Sequence, residues 1–232
     1  MKKLANIYDF KKQFYISSDE VSGQTGGFYY EKLEFIKQNI KSKKIVLDVG
    51  CNDGYVGEAL IKEGNTVYGI DIVDKDLKLA KKRGLKVSNV DVETQEFPYG
   101  NNFFDVVILA DIIEHVFDTD ALLKKSARVL KKGGKLIITT PNIASLGRRL
   151  MLLVGISPFV EHSLELSTNG LPSVGHVRYY TVSTLSNQLV HNGFKEISIE
   201  GDKLYFFLKS RTLGKILPSI STMLMVTCRN AK

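Results

Sequence analysis

Between Lys44 and Pro141 an apolar, β-branched run is followed by a helix-periodic run over and over, and this alternation constrains the fold more than any other feature. Lys44 to Gly50 (KIVLDVG) reads as a buried strand, Tyr55 to Gly64 as a helix closed by glycine, and Thr66 to Asp71 (TVYGID) as a second strand. Asp74 to Gly84 gives another helix and Leu85 to Asp91 a third strand. Phe103 to Asp111 (FFDVVILAD) gives a fourth strand, whose Val-Val-Ile-Leu run suits burial on both faces. Asp118 or Thr119 is placed to cap a helix over Asp120 to Gly134, which hands over to a fifth strand, Lys135 to Pro141. Strand and helix alternating in this way imply an α/β fold, a doubly wound and mostly parallel sheet with helices on both faces.

The flanking segments extend that picture. Phe28 to Ile40 carries Leu33, Ile36 and Ile40 at helical spacing, which predicts an amphipathic helix within an N-terminal cap over residues 1–43. Residues 141–178 break the rhythm and read as a lid inserted after the fifth strand. The rhythm resumes with a helix over Thr181 to Gly193 and strands over Phe194 to Glu200 and Ser221 to Arg229, making seven strands with an antiparallel edge. The main domain would run over 44–232 in a chain of 232 residues, enough for one core without disulfides or metals.

Ligands of doubly wound sheets bind beyond the carboxyl ends of the strands. The stretch VLDVGCNDGYVG, Val46 to Gly57, lies at such an end, with glycines at 50, 54 and 57 and Asn52 where a dinucleotide loop has its central glycine. No GK[ST] follows, so a nucleoside-triphosphate loop is excluded, and the broken pattern argues against a nicotinamide cofactor. Asp48 would repel a diphosphate but suits an ammonium group. Asp71 ends the second strand 21 positions after Gly50 and is placed for ribose hydroxyls; Asp91 and Val92, at the end of the third, offer an acceptor and an apolar edge to adenine. Together they specify an adenosine with a zwitterionic tail and no phosphate.

This constellation resembles the class I S-adenosylmethionine-dependent methyltransferases, small-molecule branch, similar to the ubiquinone-biosynthesis type. VLDVGCNDG matches the family's glycine-rich first motif, Asp71 its second-strand acid, FFDVVILADIIEHV its fourth-strand motif and RVLKKGGKLIITTPN its fifth. The resemblance implies a seven-stranded Rossmann-like sheet and S-adenosyl-L-methionine as cofactor, leaving as S-adenosyl-L-homocysteine. The implied contacts are Asp48, Gly50, Cys51, Asn52, Gly54, Asp71, Ile72, Asp91, Val92, Ala110 and Asp111. Asp111, Glu114 and His115 follow the fourth strand, where the methyl group would emerge, and are the candidate catalytic residues, His115 as general base. Their D-x-x-E-H spacing resembles the E-x-x-E-H element of ubiquinone-pathway O-methyltransferases, where these side chains accompany a divalent cation. Asp111 is shorter than that element's glutamate, and no residue is assigned as a metal ligand from sequence.

The acceptor is expected to be a small or lipid-like molecule methylated on oxygen or carbon. Base-amine methylases carry [DNS]-P-P-[FYW] after the fourth strand, whereas this chain has ADII. The net charge of +7 is spread over lysine pairs such as Lys43-Lys44 and Lys131-Lys132, without interleaved aromatics, so no nucleic-acid partner is expected. A silent cofactor-binding module is the alternative, and an RNA or protein methyltransferase a weaker one. GHVRYYT, Gly175 to Thr181, resembles a recurring segment of the small-molecule branch, in which His176 and Arg178 either hold the lid or touch substrate. Leu146 to Val160 joins Arg148-Arg149 to an apolar run, which suits peripheral membrane contact. Two distant cysteines, no signal-peptide pattern and no membrane-length apolar run point to the cytoplasm.

Overall fold

The computed structural model describes residues 27–159, 175–202 and 211–231. In chain order the elements are α1 (Gly27–Asn39), β1 (Ile45–Val49), α2 (Tyr55–Lys62), β2 (Thr66–Asp71), α3 (Asp74–Lys82), β3 (Lys86–Asn89) and β4 (Phe104–Ala110). A 3-10 turn (Ile113–His115), α4 (Thr119–Val129), β5 (Leu130–Pro141), α5 (Leu146–Leu153), α6 (Val182–His191) and β6 (Phe194–Gly201) follow. α7 (Arg211–Ile216), a second 3-10 turn (Pro218–Ile220) and β7 (Met223–Asn230) complete the order.

Seven strands form one sheet in the order β3-β2-β1-β4-β5-β7-β6. The order reverses between β1 and β4, which places a crevice at their carboxyl ends. β1 to β5 are parallel, and the antiparallel pairing expected at the edge is supplied by β7, which pairs with both β5 and β6. Alternate residues of the central strands feed two cores. Val46, Val67, Val106 and Ile108 pack with Phe35 and Ile36 of α1, Ile40 just past its end, Leu60 of α2 and Leu77 of α3. Leu47, Val107, Leu109 and Leu136 pack on the opposite face with Leu122 and Leu123 of α4 and Leu185 and Leu189 of α6. Each such side chain contributes about 1.5–3 kcal/mol of burial, so the strand ends are fixed from both sides.

The end of α4 and the buried face of α1 differ from the sequence expectation. α4 stops at Val129 rather than running to Gly134, because Leu130 already pairs with Phe104, and the Asn230 side-chain amide donates to the Ala127 carbonyl at 2.9 Å, capping the helix. In α1, Phe35 is buried and Leu33 only half-buried. Asp118 is the observed cap of α4, accepting from the Ala121 N–H at 2.9 Å. Of the stretch read as a lid, α5 and its exit to residue 159 are described; residues 160–174 lie outside the described residues. Residues 203–210 lie outside as well. Among the described residues no helix is long and apolar enough to cross a membrane.

Candidate active site

The glycine loop leaves β1 in a conformation that its side chains permit. Gly50, Asn52 and Gly54 all have positive φ, at 71°, 49° and 83°. Asparagine tolerates the left-handed region better than other non-glycine residues, which accounts for Asn52 standing where a central glycine was expected. Its Oδ1 also accepts from the Asp53 N–H at 2.6 Å. Gly54 is required on a second count, since a Cβ there would lie 2.8 Å from the Cα of Ala80 in α3. The N–H groups of Gly50 and Cys51 both donate to the Ile70 carbonyl, at 2.8 and 3.1 Å, stapling the loop to β2.

Two acids sit beneath this loop. Asp48 is 2% exposed, and burial, with the charge of Asp71 behind it, pushes its carboxyl up to about 7. Asp71 accepts from the Asn52 N–H through Oδ2 at 2.9 Å and from the Val73 N–H through Oδ1 at 3.0 Å. Burial raises its pKa, while those backbone donors work in the opposite direction. The residue expected to read ribose therefore also ties the loop to β2, and each oxygen keeps a lone pair for a further donor. Ile72 is half-buried beside it. Asp91 lies past the end of β3 in a turn, its Oδ1 accepting from the Glu93 N–H at 2.9 Å, and the half-buried Val92 packs against the core. Cys51 is buried against Gly69, whose missing Cβ would meet its Sγ at 2.7 Å; burial raises its thiol pKa, so it is a packing residue.

The three residues expected to act after β4 do not form one group. Asp111, just past Ala110, adopts φ 52° and directs its carboxylate to Thr139, whose hydroxyl donates to Oδ1 at 2.9 Å, and to Lys32 of α1, with which it forms an ion pair. Glu114 is 1% exposed; its Oε2 accepts from the Thr140 hydroxyl at 3.0 Å, and its Oε1 has no hydrogen-bond partner. Burial, then the charge of Asp111, pushes its carboxyl up to about 8. His115 stands beside His176 with ring centroids 4.7 Å apart. One ligand atom from each of Glu114, His115 and His176 lies within 4.8 Å of the others, a set that Asp111 does not join. One carboxylate and two imidazoles are a chemically sound donor set for a divalent cation.

Sequence reasoning left His176 undecided and missed Lys32. Segment 175–180 is docked by its backbone, the N–H groups of Val177 and Arg178 both donating to the Glu114 carbonyl at 2.8 and 3.0 Å, and Arg178 hydrogen-bonds the Phe117 carbonyl. Tyr180 is core and Thr181 caps α6 through a capping box. Phe117, Arg178, Tyr179 and Gln188 line an adjoining cavity of about 520 Å³. Lys32 is 8% exposed and sits four residues before Ile36, on the same face of α1, and eight before Ile40, just past the helix end. A lysine on a helix's buried stripe is the signal that could have found it.

The family profile described as a methyltransferase domain matches residues 23–199. Among curated proteins, a ubiquinone biosynthesis O-methyltransferase of Coxiella burnetii is 34% identical over 116 residues, covering 48% of this chain and 50% of that protein. One from Pelagibacter ubique is 35% identical over 127 residues, covering 48% and 52%. The chain thus spans about half the length of the curated relatives it matches. Among solved structures, an S-adenosylmethionine-dependent methyltransferase of Thermotoga maritima, described as a possible histamine N-methyltransferase, superposes with a TM-score of 0.65 at 19% identity, covering 87% of this chain and 89% of that one. Phosphoethanolamine N-methyltransferase 2 of Haemonchus contortus, solved with S-adenosyl-L-methionine, gives 0.61 at 19% identity, covering 89% and 53%. These superpositions establish the shared fold.

Proposed function

The chain belongs to the methyltransferase-domain family, and from that premise we propose that it transfers the methyl group of S-adenosyl-L-methionine to an oxygen of a small-molecule acceptor. The observation that carries the reading is the pair of buried acids at the ends of β1 and β2 under a loop of left-handed residues, Asp48 at 2% exposure and Asp71 at 9%. A phosphate would meet two carboxylates there, whereas an ammonium relieves the desolvated charge of Asp48. Asp71 would then hold the ribose and Asp91 with Val92 the adenine, leaving the loop after β4 for the sulfonium side. Lys32, buried beside Asp111, offers its cation to the methionine carboxylate. α1, in the described part of the expected N-terminal cap, carries it.

Methyl transfer is an in-line displacement, so the chain's main tasks are alignment and exclusion of water. As the acceptor oxygen bonded the methyl carbon, the carbon–sulfur bond would break with its pair to sulfur, and where no cation holds the His115 imidazole the hydroxyl proton would be taken up there. A divalent cation held by Glu114, His115 and His176 would instead occupy the His115 lone pair and supply Lewis-acid polarisation of the acceptor oxygen, lowering the hydroxyl pKa so that its proton leaves to solvent. The ubiquinone-pathway relatives direct the acceptor search toward phenols. A lipid-like acceptor met at a membrane surface is the second reading, favoured by the exposed Leu152, Leu153, Val154, Ile156 and Phe159 at the end of α5 and in its exit loop. The two cysteines, Cys51 and Cys228, are free thiols, in keeping with a cytoplasmic location.

Calorimetry with S-adenosylhomocysteine, followed by transfer of radiolabelled methyl into a panel of catechols and prenylated phenols, tests the proposal. No binding heat sinks the cofactor assignment; binding without transfer into the panel or into cell extract turns the reading to a silent cofactor-binding module. Flotation with anionic vesicles at low salt tests the lipid reading, and failure to float removes it.

A further inference from the structure

We propose that Glu114, His115 and His176 are the ligand set of a divalent cation in this chain, and that Asp111, which the D-x-x-E-H spacing would enlist, stands outside it. The inference rests on the reading of this crevice as the acceptor side of a methyltransferase, and it changes which residues and which metals that side employs.

Four observations converge on it. The three ligand atoms lie within 4.8 Å of one another, so small side-chain rotations bring them round an ion at metal–ligand distances of about 2.0–2.2 Å. Glu114 is 1% exposed yet its Oε1 has no hydrogen-bond partner, an arrangement that costs free energy unless something positive or donating meets that oxygen. Its other oxygen is already oriented by the Thr140 hydroxyl at 3.0 Å, the kind of outer contact that fixes a ligating carboxylate. His176 is delivered by backbone rather than by a free side chain, because the Val177 and Arg178 N–H groups clamp its segment to the Glu114 carbonyl at 2.8 and 3.0 Å.

Asp111 is engaged elsewhere. Thr139 and Lys32 hold both of its oxygens, and a left-handed backbone at φ 52° sets its direction. Recruiting it to a cation would break the ion pair with Lys32.

Replacing a carboxylate by an imidazole changes the chemistry of the site. Magnesium takes oxygen ligands in near-ideal octahedra, whereas one carboxylate with two imidazoles suits Zn²⁺, Fe²⁺ or Co²⁺. The cation would also couple two parts of the chain, the loop after β4 and the segment leading into α6, so that its uptake orders the acceptor side.

The test uses the full chain, stripped with a chelator and titrated with CoCl₂, followed by visible absorption and calorimetry. The expected result is one Co²⁺ per chain, undisturbed by millimolar Mg²⁺. His176→Ala and Glu114→Gln should each weaken it by at least the roughly 10–100-fold that outer-shell partners alone command, while Asp111→Asn leaves it nearly unchanged. S-adenosylhomocysteine calorimetry on every variant verifies that the crevice is folded, and His176→Ala alters a segment outside the sheet should Glu114→Gln fail that check. Loss of Co²⁺ with Asp111→Asn but not with His176→Ala overturns the inference, as does wild-type chain that takes up neither Co²⁺ nor Zn²⁺. Co²⁺ uptake without S-adenosylhomocysteine binding would leave the ligand set standing and defeat the methyltransferase reading instead.

Discussion

The carboxyl ends of β1 to β3 and those of β4 and β5 face one crevice but are built on opposite principles. On the first side, neighbouring turns fix one another: Asn52 donates to Asp71, Gly50 and Cys51 to Ile70, Val90 to Asp71. On the second side the important contacts span long stretches of chain, Lys32 to Asp111 across 79 residues and Arg178 to Phe117 across 61. A cradle made of local backbone geometry can be kept while the opposite wall is rebuilt from distant parts. On the function proposed above, the two halves would have separable tasks, cofactor on one side and acceptor on the other.

The largest expected effect comes from testing that separation directly. His115→Ala should lower turnover by about 10²–10⁴-fold, or roughly 3–5 kcal/mol on the barrier, with S-adenosylhomocysteine affinity unchanged. Full activity would make His115 structural, and a parallel loss of cofactor binding would show that the halves are one unit. Next, Gly54→Val should destabilise the fold by about 2–5 kcal/mol in urea unfolding, combining left-handed strain with a clash against the Ala80 backbone. An unchanged midpoint would mean that the cradle yields more readily than its contacts imply. Asp71→Ala should weaken S-adenosylhomocysteine binding by about 1–3 kcal/mol, the scale of charged hydrogen bonds; unaltered affinity would remove the ribose assignment.

A smaller, graded effect separates the halves by pH. Asp48 and Glu114 titrate near 7 and 8 in the folded chain, against about 4 for unfolded carboxyls. Between these values the folded chain holds protons that the unfolded one has released. Their contribution to stability is complete below about pH 4 and disappears as pH rises through 7 and 8, at up to roughly 1.4 kcal/mol per pH unit for each group. Urea unfolding from pH 5 to 8 should show the decline, and S-adenosylhomocysteine should flatten the part due to Asp48, because its ammonium offsets that charge. A slope indifferent to the ligand would place the ammonium elsewhere.

The same contrast explains what could be read from the sequence. The alternation, the loop and Asp48, Asp71 and Asp91 were legible because each depends on residues a few positions apart or on strand ends that periodicity locates. Asn52 became intelligible only with its φ, since a one-letter string does not say which turn positions are left-handed. The end of α4 was misplaced because Asn230, a hundred residues downstream, caps it. Lys32 was hidden in a stripe read as apolar, and the separation of Asp111 from Glu114 and His115 depends on partners contributed by α1, β5 and the segment before α6. Spacing can show that three residues share a turn; it does not show which way each one faces.

The pairing of β7 with β5 has a consequence for how such a chain changes over time. Lys135 lies opposite Arg229 and Pro141 opposite Met223, so the sheet is closed around everything between its fifth and seventh strands. Closing a loop grows costlier only slowly with length, by about 0.6 kcal/mol for each doubling. Insertions and deletions in that interval, outside segment 175–180, α6 and β6, are thus thermodynamically mild, while the register of β5 on β7 is held from outside the interval. New acceptor preferences can arise there by lengthening or exchanging a segment, with the donor-binding half inherited intact.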